Sequence, residues 1–166
     1  LLTCFQIMNS ILFYAIILSM LPIAELRGGI PYAIANDINP FVAYFVCVGA
    51  NILAFPIVFF FLEFLHPQFM KIKLYQNLFD KFILKTRKKV EAKITKYGFW
   101  GLMVFVMIPL PVTGAYTGSF AAWLFNIPKK KAFLSVLLGV IISGLIVTTI
   151  MLTGIEAFQF MLKDIK

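Results

Sequence analysis

The sequence carries little charge for its length. Only 13% of its 166 residues are charged and 61% are hydrophobic, whereas a soluble domain is about one quarter charged and about half apolar. A soluble chain of this size leaves roughly a third of its unfolded surface exposed, and so few polar residues would not cover that surface. We therefore expect an integral membrane protein with lipid around it.

The sequence is also poor in the residues that catalysis and metal binding need. It has one histidine, His66, no paired carboxylates in a common segment, and no Ser-His or Cys-His arrangement that the spacing supports. Its two cysteines, Cys4 and Cys47, lie far apart in apolar surroundings without a CxxC motif. We expect no enzyme, no catalytic residue, no metal and no cofactor, and we interpret both cysteines as packing residues.

Positive charge is the exception, with 15 Lys and Arg against 7 acidic residues. A net charge of +8 is compatible with nucleic-acid binding, but the positions of the cations argue against it. Nine lie between Lys71 and Lys96 and three at Lys129 to Lys131, next to long apolar runs. Such blocks flank membrane spans on the cytoplasmic side. We expect both blocks in the cytoplasm, a multi-pass protein of the cytoplasmic membrane, and no nucleic-acid partner.

Two stretches, 41–65 and 132–153, are long and apolar enough to cross a bilayer. Each follows a shorter apolar segment that prolines and glycines break, at 7–36 and 99–127. Between them, residues 67–97 place apolar side chains at three- and four-residue steps among cations, which predicts a cytoplasmic amphipathic helix on the membrane surface.

The order of short helix, break, short helix, turn and span occurs twice. Pro22 aligns with Pro109, and Asn39 with Asn126, at a common offset of 87 residues. Weak internal repeats of this kind build many transporters. The single membrane domain, 1–166, would contain a first repeat at 1–66 and a second at 98–166.

The lysine blocks decide how the broken segments lie. If residues 99–127 crossed the membrane, the two blocks would face opposite compartments, against the positive-inside rule. We predict an all-α integral membrane protein with two opposed repeats, each a re-entrant helical hairpin followed by a transmembrane helix, with both chain ends outside.

The apolar start lacks a basic region and an evident cleavage site, so we expect no removable signal peptide. Because residue 1 is Leu, we expect a few native residues to be missing.

Glu25 and Arg27 are the sharpest candidates for a functional site, because a charge near the bilayer centre costs roughly 3 kcal/mol on insertion scales. We expect an extended segment there, which would point both side chains to the same side. Half-helices starting after Pro31 and near Gly114 would aim positive dipole ends at an anionic group. A structural ion pair that pins the hairpin tip is the alternative. Glu63 and His66 are interpreted as membrane-edge anchors.

The other candidates supply polar groups around the breaks. Asn51 would either hydrogen-bond a hairpin carbonyl or line the pathway. The hydroxyls around the second tip are those of Thr113, Tyr116, Thr117 and Ser119. The backbone of the two tips is assigned to Pro22, Gly28, Gly29, Pro31, Pro109, Pro111, Gly114 and Gly118, with helix packing as the favoured use of Gly114 and Gly118.

The segments PIAELRGGIPYAIA (22–35) and IPLPVTGAYTGSFAAWL (108–124) resemble motifs of the small multidrug export proteins over nearly the whole chain. The family pattern E-x-R-G-x-I-P is matched at residues 25–31. The second pattern, I-P-L-P-G-T-G-A-W-T-G, is matched except that Val112 replaces Gly and Tyr116 replaces Trp. The family is distantly similar to the DedA group, whose paired re-entrant hairpins are associated with moving phosphate-bearing lipids.

The resemblance and the residues together predict a secondary transporter. Arg27 would hold a small amphipathic or anionic substrate between the two hairpin tips, and Glu25 would exchange a proton. Two alternatives stay open: a translocase for lipid phosphates such as polyprenyl phosphate, and a membrane protein with a structural or assembly role. Membrane lipid and a second copy in a homodimer are the expected partners.

Overall fold

The computed structural model describes most of the chain, and every regular element in that part is helical. The described residues are 2–73, 76, 77, 79, 98–110 and 113–163. Most of the predicted amphipathic helix at 67–97 lies outside the described residues, as does Pro111 of the second tip.

Eight α-helices and one short π-helix make up the described chain. They are α1 (Leu2–Met20), α2 (Glu25–Ala35), α3 (Pro40–Ile52), α4 (Ala54–Phe60), the π-helix (Phe61–Leu65), α5 (His66–Phe69), α6 (Gly98–Met107), α7 (Ala115–Leu124) and α8 (Lys129–Lys163). Two apolar stretches, Pro40–Phe69 and Lys129–Gly154, are long enough to cross a membrane, as the sequence predicted. Helix α1 begins earlier than predicted, and α8 continues past residue 153.

Prolines account for the irregular points of the first long stretch. Pro56 has no N–H to donate to the carbonyl of Ile52, where α3 ends, and the chain turns at Leu53 before α4. Pro67 likewise has no N–H for the carbonyl of Glu63, within the π-helix. The stretch is therefore a helix with two local interruptions, and π-helical turns are frequently found at functional sites.

The chain divides into two compact units. Unit 1 contains residues 1–52 and 140–166, and unit 2 contains residues 53–139. Each unit therefore holds one pair of short helices, α1 with α2 or α6 with α7, together with parts of the two long apolar stretches.

In unit 1, α2 folds back along α1. Gly29 lies so close to α1 that a Cβ there would overlap Ser19 Oγ and stand 2.7 Å from the carbonyl oxygen of Ala15. The rings of Tyr14 and Tyr32 meet edge to face with centroids 6.5 Å apart. Such close backbone approach is the usual role of small residues between membrane helices.

In unit 2, α7 folds back along α6 in the same manner. A Cβ on Gly118 would overlap Val106, and Gly139 of α8 packs against the same valine. Ser135 of α8 donates a hydrogen bond to the Phe99 carbonyl near the start of α6 (3.0 Å). The valine is therefore the centre of a junction of three helices.

Both pairs of short helices end in the same turn, in which a residue with left-handed backbone precedes an N–H that reaches a carbonyl five residues back. The first turn has Asp37 (φ 61°) and the bond from Ile38 N to Ala33 O (3.1 Å), and the second has Asn126 (φ 52°) and the bond from Ile127 N to Ala122 O (2.9 Å).

The turns correct the sequence alignment. Asn126 occupies the place of Asp37, at an offset of 89 residues, so the alignment of Asn126 with Asn39 is wrong by two residues. Before the breaks, the offset of 87 holds, since Ser19 and Val106 each meet the glycine of the following helix. The second break is therefore two residues longer than the first. Aligning identical prolines and asparagines in the sequence did not reveal this difference in length.

Candidate functional site

Glu25 is buried and begins a helix. Its exposed fraction is 6%, and its backbone lies in the left-handed region with φ 48°. Arg27 follows within α2 and is partly buried. The predicted extended segment is therefore wrong. Packing of α2 on α1 outweighs the poor helix propensity of the local glycines and proline.

The first break is shorter than the sequence predicted. It consists of Pro22, Ile23 and Ala24, and Ile23 is 95% exposed. Gly28, Gly29 and Pro31 lie inside α2 rather than at the tip, so the assignment of these three residues to the tip backbone is wrong. The first half-helix likewise begins at Glu25 and not after Pro31. Its amino end nevertheless opens directly after the break, as a dipole-based anion site requires.

Glu25 and Gly114 are 89 residues apart, the spacing that also relates Gly29 to Gly118, and both have positive φ. Gly114 caps the start of α7 with φ 148°, whereas Glu25 is the first residue of α2, after its N-cap Ala24. Glycine adopts positive φ freely, but for a glutamate such backbone costs about 1–3 kcal/mol. Unit 2 therefore has glycine where φ is positive at the start of its second short helix, whereas unit 1 has a strained acid there.

Thr113 closes the second tip. Its hydroxyl lies 2.7 Å from the Ile108 carbonyl and 2.8 Å from the Leu110 carbonyl, and it accepts the Leu110 N–H at 3.1 Å. The same groups also bond to backbone, from Leu110 N to Ile108 O (2.9 Å) and from Thr113 N to Leu110 O (3.1 Å), so the hydroxyl reinforces a turn that the backbone closes. These contacts give Thr113 a structural role at the site, a role that its spacing from Pro109 could have suggested.

Tyr116 and Thr117 share a groove of about 430 Å³ in unit 2. Its walls come from α4, the π-helix and α7, with Phe79 at one end. The apolar lining residues are Ile57, Val58, Phe61, Leu62, Phe79 and Phe120. The groove has the size of a small-molecule site, and among its described lining residues two hydroxyls stand in an apolar wall. The sequence indicated the hydroxyls but not the aromatic wall that faces them.

Asn51 reaches the first pair of short helices. Its side-chain amide donates a 2.7 Å hydrogen bond to the Ser19 carbonyl, in the last turn of α1, and Asn51 is 1% exposed. This agrees with the first alternative for Asn51, a hydrogen bond to a hairpin carbonyl. Ser19 itself is fully buried and was not predicted as a site residue, because a lone serine in an apolar helix gives no distinct sequence signal.

The membrane-edge residues have clear contacts in unit 2. Glu63 forms an ion pair with Lys129 at 2.6 Å, as an anchor would. His66 is buried, unlike a residue at an open edge, and its ring packs against Phe79 and Trp123 with centroid distances of 4.2 and 5.3 Å. His66 therefore belongs to the aromatic cluster beside the groove.

The candidates thus fall into two groups. Glu25, Arg27 and Asn51 belong to unit 1, whereas the hydroxyls of Tyr116 and Thr117 share the groove of unit 2. Within the described residues, no group of three or more His, Cys, Asp or Glu could hold a metal ion. The predicted meeting of the two tips stays a prediction.

Comparison with known proteins identifies the family. Residues 25–146 match the family described as "Putative small multi-drug export protein". The match begins at Glu25 and includes Arg27, Asn51 and the whole of α7. Neither the curated proteins nor the solved structures contain a significant match. Because the family match covers most of an all-helical chain with two long apolar stretches, this membrane protein belongs to the small multi-drug export protein family.

Proposed function

We propose that the protein is a small secondary transporter in which Glu25 carries a coupling proton. The observation that carries the proposal is the contrast between Glu25 and Gly114 at matched positions. A buried ionisable residue in a membrane segment is expensive and usually functional. Here the acid also has strained backbone that glycine would relieve, so the fold alone does not explain why the position carries a carboxyl group.

We also propose that the short pairs are re-entrant hairpins in opposed repeats of a multi-pass protein of the cytoplasmic membrane. In unit 2, Gly98 and Phe99 line the same recess of about 340 Å³ as residues 125–128, which supports both ends of this segment lying on one side. The Glu63–Lys129 ion pair supports a shared side for the adjoining span ends.

Cysteine labelling tests this topology. In a background where Cys4 and Cys47 are replaced by alanine, single cysteines at Lys73 and Lys130 should both react with an impermeant probe only from the cytoplasmic side. Reaction of the two positions from opposite sides would rule out the hairpin model.

The substrate is proposed to be amphipathic or anionic. The groove with Tyr116 and Thr117 would accept an apolar body and orient it by hydroxyl contacts. Arg27, a planar cation beside the first break, would hold a carboxylate or phosphate through two hydrogen bonds. The largely apolar wall of the groove also suits a hydrocarbon chain, which favours lipid phosphate as the second candidate substrate class.

Transport in proteoliposomes tests the function. Candidate drugs and labelled polyprenyl phosphates should be compared with and without a proton gradient. Glu25→Gln preserves shape but does not titrate, so gradient-driven transport should be lost while the protein still folds and inserts. Arg27→Lys keeps the charge but loses the planar fork, so it should weaken binding of an anionic substrate. Glu63→Gln, outside the proposed site, is the matched control and should transport normally.

The non-transporting alternative makes a different prediction for the same variants. If Glu25 and Arg27 only hold the fold, each change should mainly lower the melting temperature, and any variant that folds should keep its transport. Melting temperature and transport are therefore measured on the same purified samples. Active Glu25→Gln protein would exclude the proton-carrier role.

A further inference from the structure

The helix junctions of the two units differ in polarity at matched positions. In unit 2 the centre of the junction is apolar, with Val106 against Gly118 and Gly139, and with Val136 fully buried on α8. In unit 1 the place of Val106 is taken by Ser19, and the place of Val136 is taken by Cys47. The third difference is Asn51, which matches the buried Val140 just beyond the end of unit 2.

The apolar junction serves as an internal control. It has the same back-folded pair of short helices and the same close glycine, and it is built with valines. The fold of such a junction therefore does not require a serine, a thiol or an amide at these three positions. Because burying polar groups is unfavourable unless they find partners, the polar set of unit 1 needs a separate explanation.

Two buried side-chain oxygen atoms in unit 1 can still accept a hydrogen bond or bind a cation. Among the residues that the structure describes, Asn51 Oδ1 forms no hydrogen bond. The polar contact of Ser19 Oγ is with the thiol of Cys47, which is also fully buried, and a thiol is only a weak hydrogen-bond partner. The hydrogen bond from Asn51 Nδ2 to Ser19 O holds the two residues together, at the carbonyl end of α1.

The chemistry of these groups selects the ligand. Asn51 Oδ1 is purely an acceptor, the Ser19 hydroxyl can accept, and the last carbonyls of α1 form the negative end of a helix dipole. Neutral oxygens at a helix carbonyl end suit a dehydrated monovalent cation, as in transporters that coordinate Na⁺ at broken helices. Divalent cations use carboxylate ligands instead. We propose that Ser19 and Asn51 form a Na⁺ site in unit 1.

Sodium binding to the purified protein tests this proposal without any transport assay, so its result is independent of the proposed function. At constant ionic strength, NaCl should raise the melting temperature saturably relative to choline chloride, because a ligand that binds the folded state stabilises it. Equilibrium dialysis with radioactive Na⁺ should give about one ion per chain. KCl should give a smaller shift than NaCl.

Variants locate the site. Asn51→Val, which copies the residue at the matched position, should weaken Na⁺ binding by at least about tenfold, or about 1.4 kcal/mol. Ser19→Ala should weaken binding in the same direction and serves if Asn51→Val fails to fold. Ser119→Ala is the matched control, because Ser119 is a buried serine of unit 2 that bonds its own helix at Ala115 O (2.6 Å). It should bind Na⁺ like the unaltered protein.

Two results would overturn the proposal. Absence of Na⁺-specific stabilisation and of bound radioactive Na⁺ in the unaltered protein would mean that Ser19 and Asn51 form no Na⁺ site. Na⁺ binding that survives both Asn51→Val and Ser19→Ala unchanged would place the ion elsewhere in the protein.

Discussion

The two units of this protein build similar junctions from different side chains. In unit 1, Gly29 brings α2 against Ser19 of α1, and in unit 2, Gly118 brings α7 against Val106 of α6. Both short pairs then end in the same left-handed turn. The comparison teaches that small residues and turns set the backbone frame, whereas the polarity at the junction varies without changing that frame.

The difference also separates the proposed tasks of the two units. Unit 1 buries the polar side chains of Glu25, Ser19 and Asn51, which are proposed to bind ions. Unit 2 presents the hydroxyls of Tyr116 and Thr117 in an open groove, where a larger molecule fits. An ion-coupled transporter needs both kinds of site, and a repeat whose copies diverge can provide them.

The largest effect on stability is expected where the close helix contact is blocked. Gly29→Ala would place a Cβ against Ser19 Oγ and 2.7 Å from the Ala15 carbonyl, which is backbone and does not rotate away. Overpacking costs about 1–3 kcal/mol, and we expect the upper end for Gly29→Ala. Gly118→Ala meets the side chain of Val106 and should cost less. Thermal unfolding in detergent measures both.

Compensating changes sharpen this contrast. Val106→Ala should restore most of the stability lost in Gly118→Ala, whereas Ser19→Ala should restore only part of that lost in Gly29→Ala, because the Ala15 carbonyl remains. Gly49→Ala is the control, since a Cβ there meets nothing within 4 Å. Equal and full rescue in both units would contradict the backbone contact in unit 1.

A smaller effect is expected at the second tip, whose break is two residues longer than the first. Thr113→Val removes the hydroxyl that donates to the Ile108 or the Leu110 carbonyl and accepts the Leu110 N–H. The backbone groups keep the bonds from Leu110 N to Ile108 O (2.9 Å) and from Thr113 N to Leu110 O (3.1 Å), so the cost is that of the lost side-chain bonds, and we expect about 1–1.5 kcal/mol in thermal unfolding. Thr113→Ser should keep most of the stability. Thr149→Val, at an exposed helical threonine, should change little, and a similar loss there would mean that the tip contacts are not special.

Patterns of hydrophobicity predicted the long elements well. The two apolar stretches were predicted correctly because a long run of apolar residues in lipid must satisfy its own backbone hydrogen bonds, as a helix does. The start of α7 after Gly114 followed from a glycine next to a break. The hydrogen bond of Asn51 to a hairpin carbonyl was one of two stated alternatives, because a buried amide needs a partner.

Local propensity misled the prediction around the first break. Gly28, Gly29 and Pro31 are poor helix formers, so the sequence suggested an extended segment where α2 is in fact helical. The two glycines serve packing between helices, which depends on a contact with α1 that no local pattern encodes. Ser19 was missed for the same reason, because its importance comes from its neighbours in space.

The smallest effect is expected at a pair of matched residues that differ by one hydroxyl group. Tyr44 of α3 donates a hydrogen bond to the Ile141 carbonyl at 3.1 Å, and its matched residue, 89 positions later, is Phe133, which packs on Phe55 with a centroid distance of 5.3 Å. Tyr44→Phe makes unit 1 resemble unit 2 at this point.

That change removes one hydrogen bond but leaves no orphaned acceptor, since the Ile141 carbonyl lies within α8, where the helix supplies its own donor. We therefore expect a loss of about 0.5–1 kcal/mol in thermal unfolding. Tyr44→Ala is the companion variant. It also removes the partly buried ring that packs against Gly144, so it should cost more, about 2 kcal/mol. If Tyr44→Phe were as damaging as Tyr44→Ala, the hydroxyl rather than the ring would hold α3 to α8, and the two units would not be equivalent at this contact.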